Sequence, residues 1–315
     1  MKELAKKIIC ACIFSAISLA AFSADIFGAL NKVNSAVQKS QDVKKTLEQA
    51  SSTVESIDRA AEPITTQDSY FIGRTVASNV LTEYKLYTAF PKATAYVNKI
   101  CKAITMNSDT PKIYKDYCVA ILDSDEINAL STSGGHIFIT TGILKCCNSE
   151  DEVAAIIAHE IAHIQLKHAT TAIKTVRTTE AISNSATMAK NYTKQFSNLN
   201  QEEKQSADFL TSSSISMMNV ITETGYTKGQ EFKADEKAVS LMADTGYDPN
   251  ALTDVLKMLK SKSSGEDSGW GKTHPKPETR INSVQKVLKN FTFTGIGRDA
   301  RQSRFENALA GIKQP

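Results

Sequence analysis

The sequence predicts a mostly helical α+β protein with one small sheet. Several segments of the 315-residue chain repeat apolar side chains at helical spacing. Residues 117–124 and 136–144 are instead rich in β-branched and aromatic residues, and Gly134-Gly135 precedes the second of them, as expected for strands. A composition of 41% hydrophobic and 23% charged residues is ordinary for a globular protein and excludes a fibrous or disordered chain.

The first 23 residues have the layout of a secretory signal peptide. A basic start at residues 1–7 precedes an apolar run at 8–22, and the small residues Ala21 and Ser23 suit a cleavage site. Cleavage after Ser23 predicts a periplasmic or secreted protein. The less favoured alternative is a membrane anchor formed by residues 8–23, because the run is nearly long enough to cross a bilayer.

The net charge argues against a nucleic-acid partner. The formal charge of +3 falls to +1 on cleavage, because the signal segment carries three lysines and one glutamate. Four cysteines then remain, and the pairing of Cys101 with Cys118 is the first of three connectivities to consider. Cys146 and Cys147 could equally be reduced and buried.

Helical segments are predicted on the N-terminal side of the first strand. Residues 27–61 carry a narrow apolar stripe that is typical of a long amphipathic helix ended by Pro63, and we assign this segment to residues 24–66. Two further helical patterns fill residues 73–105 and separate near Pro91.

Residues 67–290 are predicted to form the main domain. Within it, residues 176–222 are rich in Ser, Thr, Asn and Met, so we expect a mobile helical excursion with little core-forming material. Shorter helices are expected at about 250–262 and 277–289. Residues 291–315 are predicted to be a polar C-terminal tail.

A helix is predicted to begin near residue 150. Ser149 followed by Glu152 has the spacing of a capping box, and Glu150, Asp151 and Glu152 suit the positive end of a helix dipole. This helix carries the sequence HEIAH at 159–163.

The HEIAH sequence has the pattern of a zinc-protease motif. His159 and His163 lie about 40° apart on one face of a helix and can hold one ion, while Glu160 beside them can act as general base on the metal-bound water. The alternative is a pair of core histidines without a metal. His168 lies about 140° from His163 if the helix continues, and it then cannot join the same ion, so it is predicted to be a structural or helix-terminal histidine.

A third ligand must come from elsewhere, because a catalytic zinc has three protein ligands and one open position. Glu231 and Asp235 lie four residues apart on a second helix, from about Gly229 to Thr245, which Gly246 can end. One carboxylate can ligate zinc while the other holds a ligand histidine. The alternative is a solvated acidic face paired with nearby lysines.

Four motifs in this order resemble metallopeptidase family 48, in its soluble periplasmic branch related to the HtpX and CAAX prenyl proteases: NALSTSGGHIFITTGIL, HEIAHIQLKH, EFKADEKAVSLMADTGYDP and HPKPETRI. The resemblance covers residues 70–285. It implies a gluzincin zinc-protease fold with a small sheet beside the active-site helix, and one Zn²⁺ per chain. It also implies that Glu231 is the third ligand and that Asp235 supports a ligand histidine.

The resemblance assigns further residues near the zinc. An edge strand beside the metal is expected to pair with extended substrate, with Asn128 and Ala129 at its approach. That strand is predicted from these residues: Gly134, Gly135, His136, Ile137 and Phe138.

The HPKPETRI motif implies two more site residues. His274 is expected close to the active site, where it could contact the metal, cover it or stabilise the oxyanion; a structural turn histidine is the alternative. Arg280 matches the pattern without an assigned role. Two departures, Gly229 and Glu236 where arginine is common, put the supporting salt bridges in doubt.

The expected function is a zinc metalloendopeptidase of the EC 3.4.24 type that hydrolyses peptide bonds in misfolded or misassembled envelope proteins. Unfolded polypeptides are the expected partners, together with peripheral contact with the membrane or the outer-membrane assembly machinery. The alternative is a chaperone-like or self-inhibited binding protein whose zinc site is occluded by residues 176–222 or by His274.

Overall fold

The computed structural model describes residues 62–183, 201–262, 274 and 277–313. They belong to one compact unit, Ile57–Pro315. The predicted signal peptide and the amphipathic helix at 27–61 lie outside the described residues. Among the described helices, none combines the length and the apolar character that crossing a membrane requires.

The described elements are ten α-helices, three strands and one π-helical turn, Val220–Thr224. The mostly helical α+β class predicted from the sequence is confirmed. In chain order the elements are α1 Thr66–Glu83, α2 Pro91–Met106, β1 Cys118–Leu122, β2 Ala129–Ser131, β3 His136–Thr140, α3 Thr141–Cys146, α4 Glu150–Gln165, α5 His168–Ser183, α6 Gln201–Asn219, α7 Lys228–Thr245, α8 Ala251–Lys262, α9 Pro277–Leu288 and α10 Arg298–Lys313.

The two helices predicted within 73–105 correspond to α1 and α2. Helix α1 begins earlier than expected because Thr65 and Asp68 form a complete capping box. Pro91 occupies the start of α2, where its missing N–H leaves no helical hydrogen bond unmade.

The sheet has the order β1-β3-β2, with β1 parallel and β2 antiparallel to β3. The two predicted strands are β1 and β3. Strand β2 has only three residues, too few to display an alternating pattern, and was not predicted.

The prediction that Gly134, Gly135, His136, Ile137 and Phe138 form an edge strand is wrong. The two glycines form the turn between β2 and β3, where Gly135 has φ +93°, and His136–Thr140 is the central strand, paired on both sides. Its backbone groups are therefore not free to bind a substrate. The buried run Ile137–Thr140 suits a central strand, whereas the order of strands is invisible in the sequence.

Helix α4 lies at the centre of the main apolar core. Every residue from Val153 to Ile164 is buried, which is the pattern of a helix covered on all sides rather than one with a single apolar stripe. The Ser149 hydroxyl accepts from the Glu152 N–H as predicted, while the Glu152 carboxylate accepts from the N–H of Asn148 instead of Ser149.

Helix α4 ends at a sharp break. Lys167 has φ +55° in the left-handed region, and a new helix, α5, begins at His168. The expectation that His168 would lie about 140° from His163 assumed a continuous helix, so the break changes its direction.

The segment 176–222 contributes more to the core than its composition suggests, although residues 184–200 lie outside the described part. Met217 and Ile221 join Ile173, Ile72 and Phe138 in a second apolar cluster under α1. The serines of α6 do not interrupt the helix, because Ser214 and Ser216 donate to carbonyls one turn earlier: those of Leu210 and Ser212.

The segment 291–315, predicted to be a polar tail, contains helix α10. Phe305, Leu309 and Ile312 are buried in the main core, and their spacing defines a narrow stripe hidden among polar residues. Arg304 forms a bidentate pair with Glu150, at 2.6 and 3.2 Å, and Arg301 Nε lies 2.9 Å from Asp151 Oδ1. Helix α10 thereby fixes the N-terminus of α4.

Removal of the Leu309 side chain tests the packing of α10. We expect Leu309→Ala to lower the free energy of unfolding by about 2–5 kcal/mol, because the residue is fully buried. The control Ser303→Ala, on the exposed face of the same helix, should stay within about 0.5 kcal/mol. Equal effects of the two substitutions in urea unfolding would contradict this packing.

Candidate metal centre

His159 and His163 lie side by side on α4. Their Nε2 atoms are 3.0 Å apart, their ring centroids are 4.6 Å apart, and both residues are buried. The close spacing follows from the four-residue separation on a helix.

Glu231 is brought to this pair by the first turn of α7. Thr227 and Gln230 form the capping box that starts the helix, and α7 packs against α4. Glu231 Oε2 lies 3.6 Å from His159 Nε2, and Oε1 lies 3.4 Å from His163 Nε2. The buried carboxylate excludes the alternative of a solvated acidic face for this residue.

These three side chains fit a tetrahedral ion. Ligand atoms at about 2.0–2.1 Å from one Zn²⁺ lie roughly 3.3 Å from each other. The two Nε2 atoms are 3.0 Å apart, and the Glu231 carboxylate approaches them at 3.4 Å through Oε1 and at 3.6 Å through Oε2, so the three side chains lie at about this spacing. In addition, Glu231 Oε1 is buried and has no hydrogen-bond partner among the described residues, so one acceptor in the cluster remains unused.

His274 is a fourth member of the cluster. Its Nδ1 lies 2.9 Å from Glu231 Oε2, and its ring centroid lies 5.4 Å from that of His159. One ligand atom from each of the four residues lies within 4.8 Å of all the others. A residue far along the chain from the HEIAH motif is thus close enough to reach the same ion.

Asp235 and Arg280 contact the side chains of the cluster. Asp235 Oδ1 lies 3.1 Å from His159 Nδ1, the ring nitrogen that faces away from His163. Arg280 donates to both Asp235 oxygens, at 2.7 and 2.8 Å, and its Nη1 lies 3.1 Å from Glu231 Oε2. Sequence reasoning gave Arg280 no role.

Arg280 supplies salt bridges that Gly229 and Glu236 cannot form, although arginine is common in the family at those two positions. Gly229 and Glu236 are both exposed, whereas Arg280 on α9 is buried and pairs with both site carboxylates. The salt bridges that position Asp235 therefore come from a different helix.

The ionisation states of Glu231 and His163 favour metal binding. Burial raises the pKa of Glu231, but His274 and Arg280 outweigh it and hold this pKa well below its usual range. Burial lowers the pKa of His163, so its imidazole is neutral. A charged carboxylate and a neutral imidazole are the states that bind metals.

The pKa of His159 shifts in the opposite direction from that of His163. Burial and Arg280 lower its pKa, but the Asp235 and Glu231 carboxylates more than offset them, and the pKa rises to about 9. An ion that binds this cluster would have to displace a proton from His159 near neutral pH.

Glu160 is buried beside the pair. Its Oε1 has no hydrogen-bond partner among the described residues, although its backbone carbonyl accepts from Ser131 Oγ at 3.3 Å. Burial and then the charge of Glu160 raise the pKa of the Tyr226 hydroxyl. A buried carboxylate oxygen without a partner, next in sequence to an imidazole that could bind a metal, can accept a proton.

The rings of His168 and Tyr226 contact His163, and the sequence predicted neither contact. His168 Nδ1 lies 3.0 Å from His163 Nδ1, because the break at Lys167 turns it back toward the site. Burial lowers the pKa of His168 to about 4, so a neutral ring can accept the His163 N–H. Tyr226 stacks on His163 with centroids 4.2 Å apart; nothing in its sequence context indicates this contact.

The strand next to the site is β2, not β3. The Ser131 contact with Glu160 places β2 against α4, and the strand order puts β2 at the edge of the sheet. Thr140 N–H donates to Asn128 O and Thr132 N–H donates to His136 O, so the backbone groups of Ala129 and Ser131 point away from β3.

Comparison with known proteins identifies the family. The sequence model of peptidase family M48 matches residues 91–288, more than half of the chain. The chain belongs to peptidase family M48. The resemblance seen in the sequence motifs is thereby confirmed, and the buried cluster lies in a family of metal-dependent peptidases. The match runs from the start of α2 to the end of α9, so α1 and α10 lie outside it.

Individual relatives are distant. The mitochondrial metalloendopeptidase OMA1 of Schizosaccharomyces pombe is 24% identical over 226 residues, 70% of this chain and 59% of that protein. The beta-barrel assembly-enhancing protease of Escherichia coli K12 is 21% identical over 202 residues, 61% of this chain and 38% of that protein. A putative beta-barrel assembly-enhancing protease of Vibrio cholerae is 26% identical over 172 residues, 52% and 33% of the two chains. The chain thus spans less than two thirds of the length of each.

Replacement of Arg280 tests its role in the cluster. In metal-free protein, we expect Arg280→Leu to lower the free energy of unfolding by about 3–5 kcal/mol, because it removes the buried arginine that pairs with the Asp235 and Glu231 carboxylates. The control Arg298→Leu removes an exposed arginine paired with Asp248 and should cost less than about 1 kcal/mol. A loss below 1 kcal/mol for Arg280→Leu would contradict the assigned pairing.

Proposed function

We propose that this protein is a zinc endopeptidase in which His159, His163 and Glu231 hold the ion and Glu160 is the general base. The observation that carries the proposal is the buried group of two imidazoles and one carboxylate, in which each His Nε2 lies within 3.6 Å of a Glu231 oxygen and 3.0 Å from the other Nε2. A buried Glu160 oxygen that lacks a hydrogen-bond partner among the described residues lies on the same helix as the two imidazoles. A structural metal site would have no use for that carboxylate.

The catalytic work divides between the ion and the chain. When bound, Zn²⁺ polarises the scissile carbonyl and lowers the pKa of water to near neutrality. Glu160 takes the proton from the attacking water and later passes it to the leaving amine. Asp235 accepts the His159 Nδ1–H and fixes the direction of that ring, while Arg280 keeps Asp235 and Glu231 ionised.

His274 is proposed to stabilise the negative charge that develops on the substrate oxygen. Its buried ring is adjacent to Glu231 and to both ligand histidines, so a ring N–H of His274 can donate a hydrogen bond into the site.

The same proximity favours a second candidate, a self-inhibited peptidase. With a ligand atom within 4.8 Å of the other three, His274 could fill the position that a catalytic zinc keeps open for water. In that state the protein would bind polypeptides without cleaving them. The residues on either side of His274, 263–273 and 275–276, lie outside the described part of the chain.

Substrate is proposed to bind in extended form along β2 instead of β3. The backbone groups of Ala129 and Ser131 point away from β3, and β2 lies against the helix that carries Glu160. An added strand would be held mainly by main-chain hydrogen bonds, which suits unfolded polypeptides of varied sequence.

Envelope proteins are the proposed substrates. The support is the signal-peptide layout of residues 1–23, together with the names of two relatives, which describe proteases that enhance beta-barrel assembly. On this proposal the protein is periplasmic or secreted and acts on misfolded or misassembled chains near the outer-membrane assembly machinery.

Glu160→Gln separates catalysis from metal binding. We expect zinc-loaded Glu160→Gln to digest unfolded casein at least about 100-fold more slowly than wild type, because the amide cannot take the proton from water. Metal analysis should still find one zinc per chain. Digestion at the wild-type rate would overturn the mechanism.

Glu231→Gln tests the third ligand. We expect this variant to bind zinc about 10-fold or more weakly, with parallel loss of casein digestion, because it replaces an anionic ligand with a neutral amide. The control Glu236→Gln changes an exposed carboxylate on the same helix and should match wild type. Equal zinc affinities of the two variants would rule out Glu231 as a ligand.

A further inference from the structure

A small cleft of about 50 Å³ opens next to His163. Its walls come from the end of β2, the turn that follows, the first residues of α1 and the junction of α4 with α5. His163 and the stacked Tyr226 form its inner side, so the cleft is continuous with the candidate metal centre.

Lys167 is the one formally charged side chain among the described residues that line this cleft, and none of those residues is a carboxylate. In the part of the chain that the structure describes, Lys167 forms no ion pair. By contrast, Lys145, Lys237 and Lys257 each pair with an aspartate at 2.6–3.1 Å. Lys167 is exposed, so the cleft has at its rim a positive charge that pairs with no carboxylate of the described residues.

The backbone of Lys167 adds an independent observation. With φ +55°, it is the one non-glycine residue with a positive φ in the described ranges. This conformation at the end of a helix ordinarily favours glycine or asparagine, because a Cβ atom is strained there. The Lys167 N–H donates to Ile164 O, and its carbonyl accepts from Thr170 Oγ1, so the residue is held in place by both neighbours. Strained positions of this kind cluster at binding sites.

The remaining walls are neutral. Ile113, Ile164 and Tyr226 supply apolar surface, and Ser131, Thr132 and Thr170 supply hydroxyl groups, most of which already donate to carbonyls elsewhere. Such walls suit the methylene groups of a side chain whose charged end reaches Lys167.

We infer that this cleft is a specificity subsite for an acidic side chain, Asp or Glu, of a substrate residue close to the scissile bond, with Lys167 as its ionic partner. The inference rests on the proposed function. A substrate strand paired along β2 passes Ser131 and Thr132, which form one wall of the cleft, and so directs a side chain into it.

The test uses a set of fluorogenic decapeptides that are identical except at one position. At each position in turn, Glu, Gln or Lys is inserted, and kcat/KM is measured for zinc-loaded wild type, Lys167→Glu, Lys167→Arg and Lys167→Asn. Asparagine tolerates the left-handed backbone, so that variant removes the charge without new strain. Lys92→Glu, on the exposed first turn of α2, has the same change in net charge as Lys167→Glu and is the control.

At one position within two residues of the cleaved bond, we expect wild type to prefer Glu over Lys by about 5-fold, the most that one ionic contact to an exposed lysine contributes. Lys167→Arg should keep this preference, Lys167→Asn should lose it and Lys167→Glu should reverse it, while Lys92→Glu should match wild type. A wild type without the preference, or a preference unchanged in Lys167→Glu, would overturn the subsite while leaving the peptidase proposal intact.

A binding measurement keeps the two proposals separable. In zinc-loaded Glu160→Gln, which is expected to cleave at least about 100-fold more slowly than wild type, fluorescence anisotropy should show the Glu peptide binding about 5-fold more tightly than the Lys peptide. The added Lys167→Glu change should reverse the order. Equal affinities in both proteins would reject the subsite even if wild type cleaved every peptide. Failure of wild type to cleave any peptide, with the binding order intact, would reject the peptidase proposal alone.

Discussion

The architecture depends on placing two carboxylates of α7 against two histidines of α4 inside the protein. Burying charges without partners is costly, and here Arg280 of α9 pairs with both Asp235 and Glu231 at 2.7–3.1 Å. His159 lies against Asp235 and His274 against Glu231, so each carboxylate has more than one partner. Side chains of α4, α7 and α9 therefore meet at one group of charges, and the same interactions that could hold a metal also fix how these helices pack.

The rest of the fold holds α4 in place around that group. At its N-terminus, Arg301 and Arg304 of α10 pair with Asp151 and Glu150, whose negative charges also face the positive end of the helix. At its C-terminus, the break at Lys167 redirects the chain so that His168 reaches His163 Nδ1. Both restraints act on the helix that carries the two histidines, and one of them comes from a segment beyond the part that matches the family.

Local patterns in the sequence were sufficient for the features that depend on local geometry. The spacing of HEIAH predicted the paired imidazoles, Ser149 predicted the start of α4, and Gly246 predicted the left-handed end of α7, where φ is +85°. Features that depend on strand order or on distant packing could not be predicted this way. The three-residue β2 is too short to show a period, so β3 was mistaken for the edge strand. The roles of Arg280 and Tyr226 arise from contacts with residues far along the chain, and the apolar stripe of α10 is hidden by its polar composition.

We propose that one ion binds between His159, His163 and Glu231. Anomalous diffraction from crystals of the zinc-loaded protein, measured on either side of the zinc absorption edge, locates the ion. We expect a single anomalous peak per chain, within bonding distance of both Nε2 atoms and the Glu231 carboxylate. A peak away from these three side chains in fully loaded protein would show that they do not hold the ion.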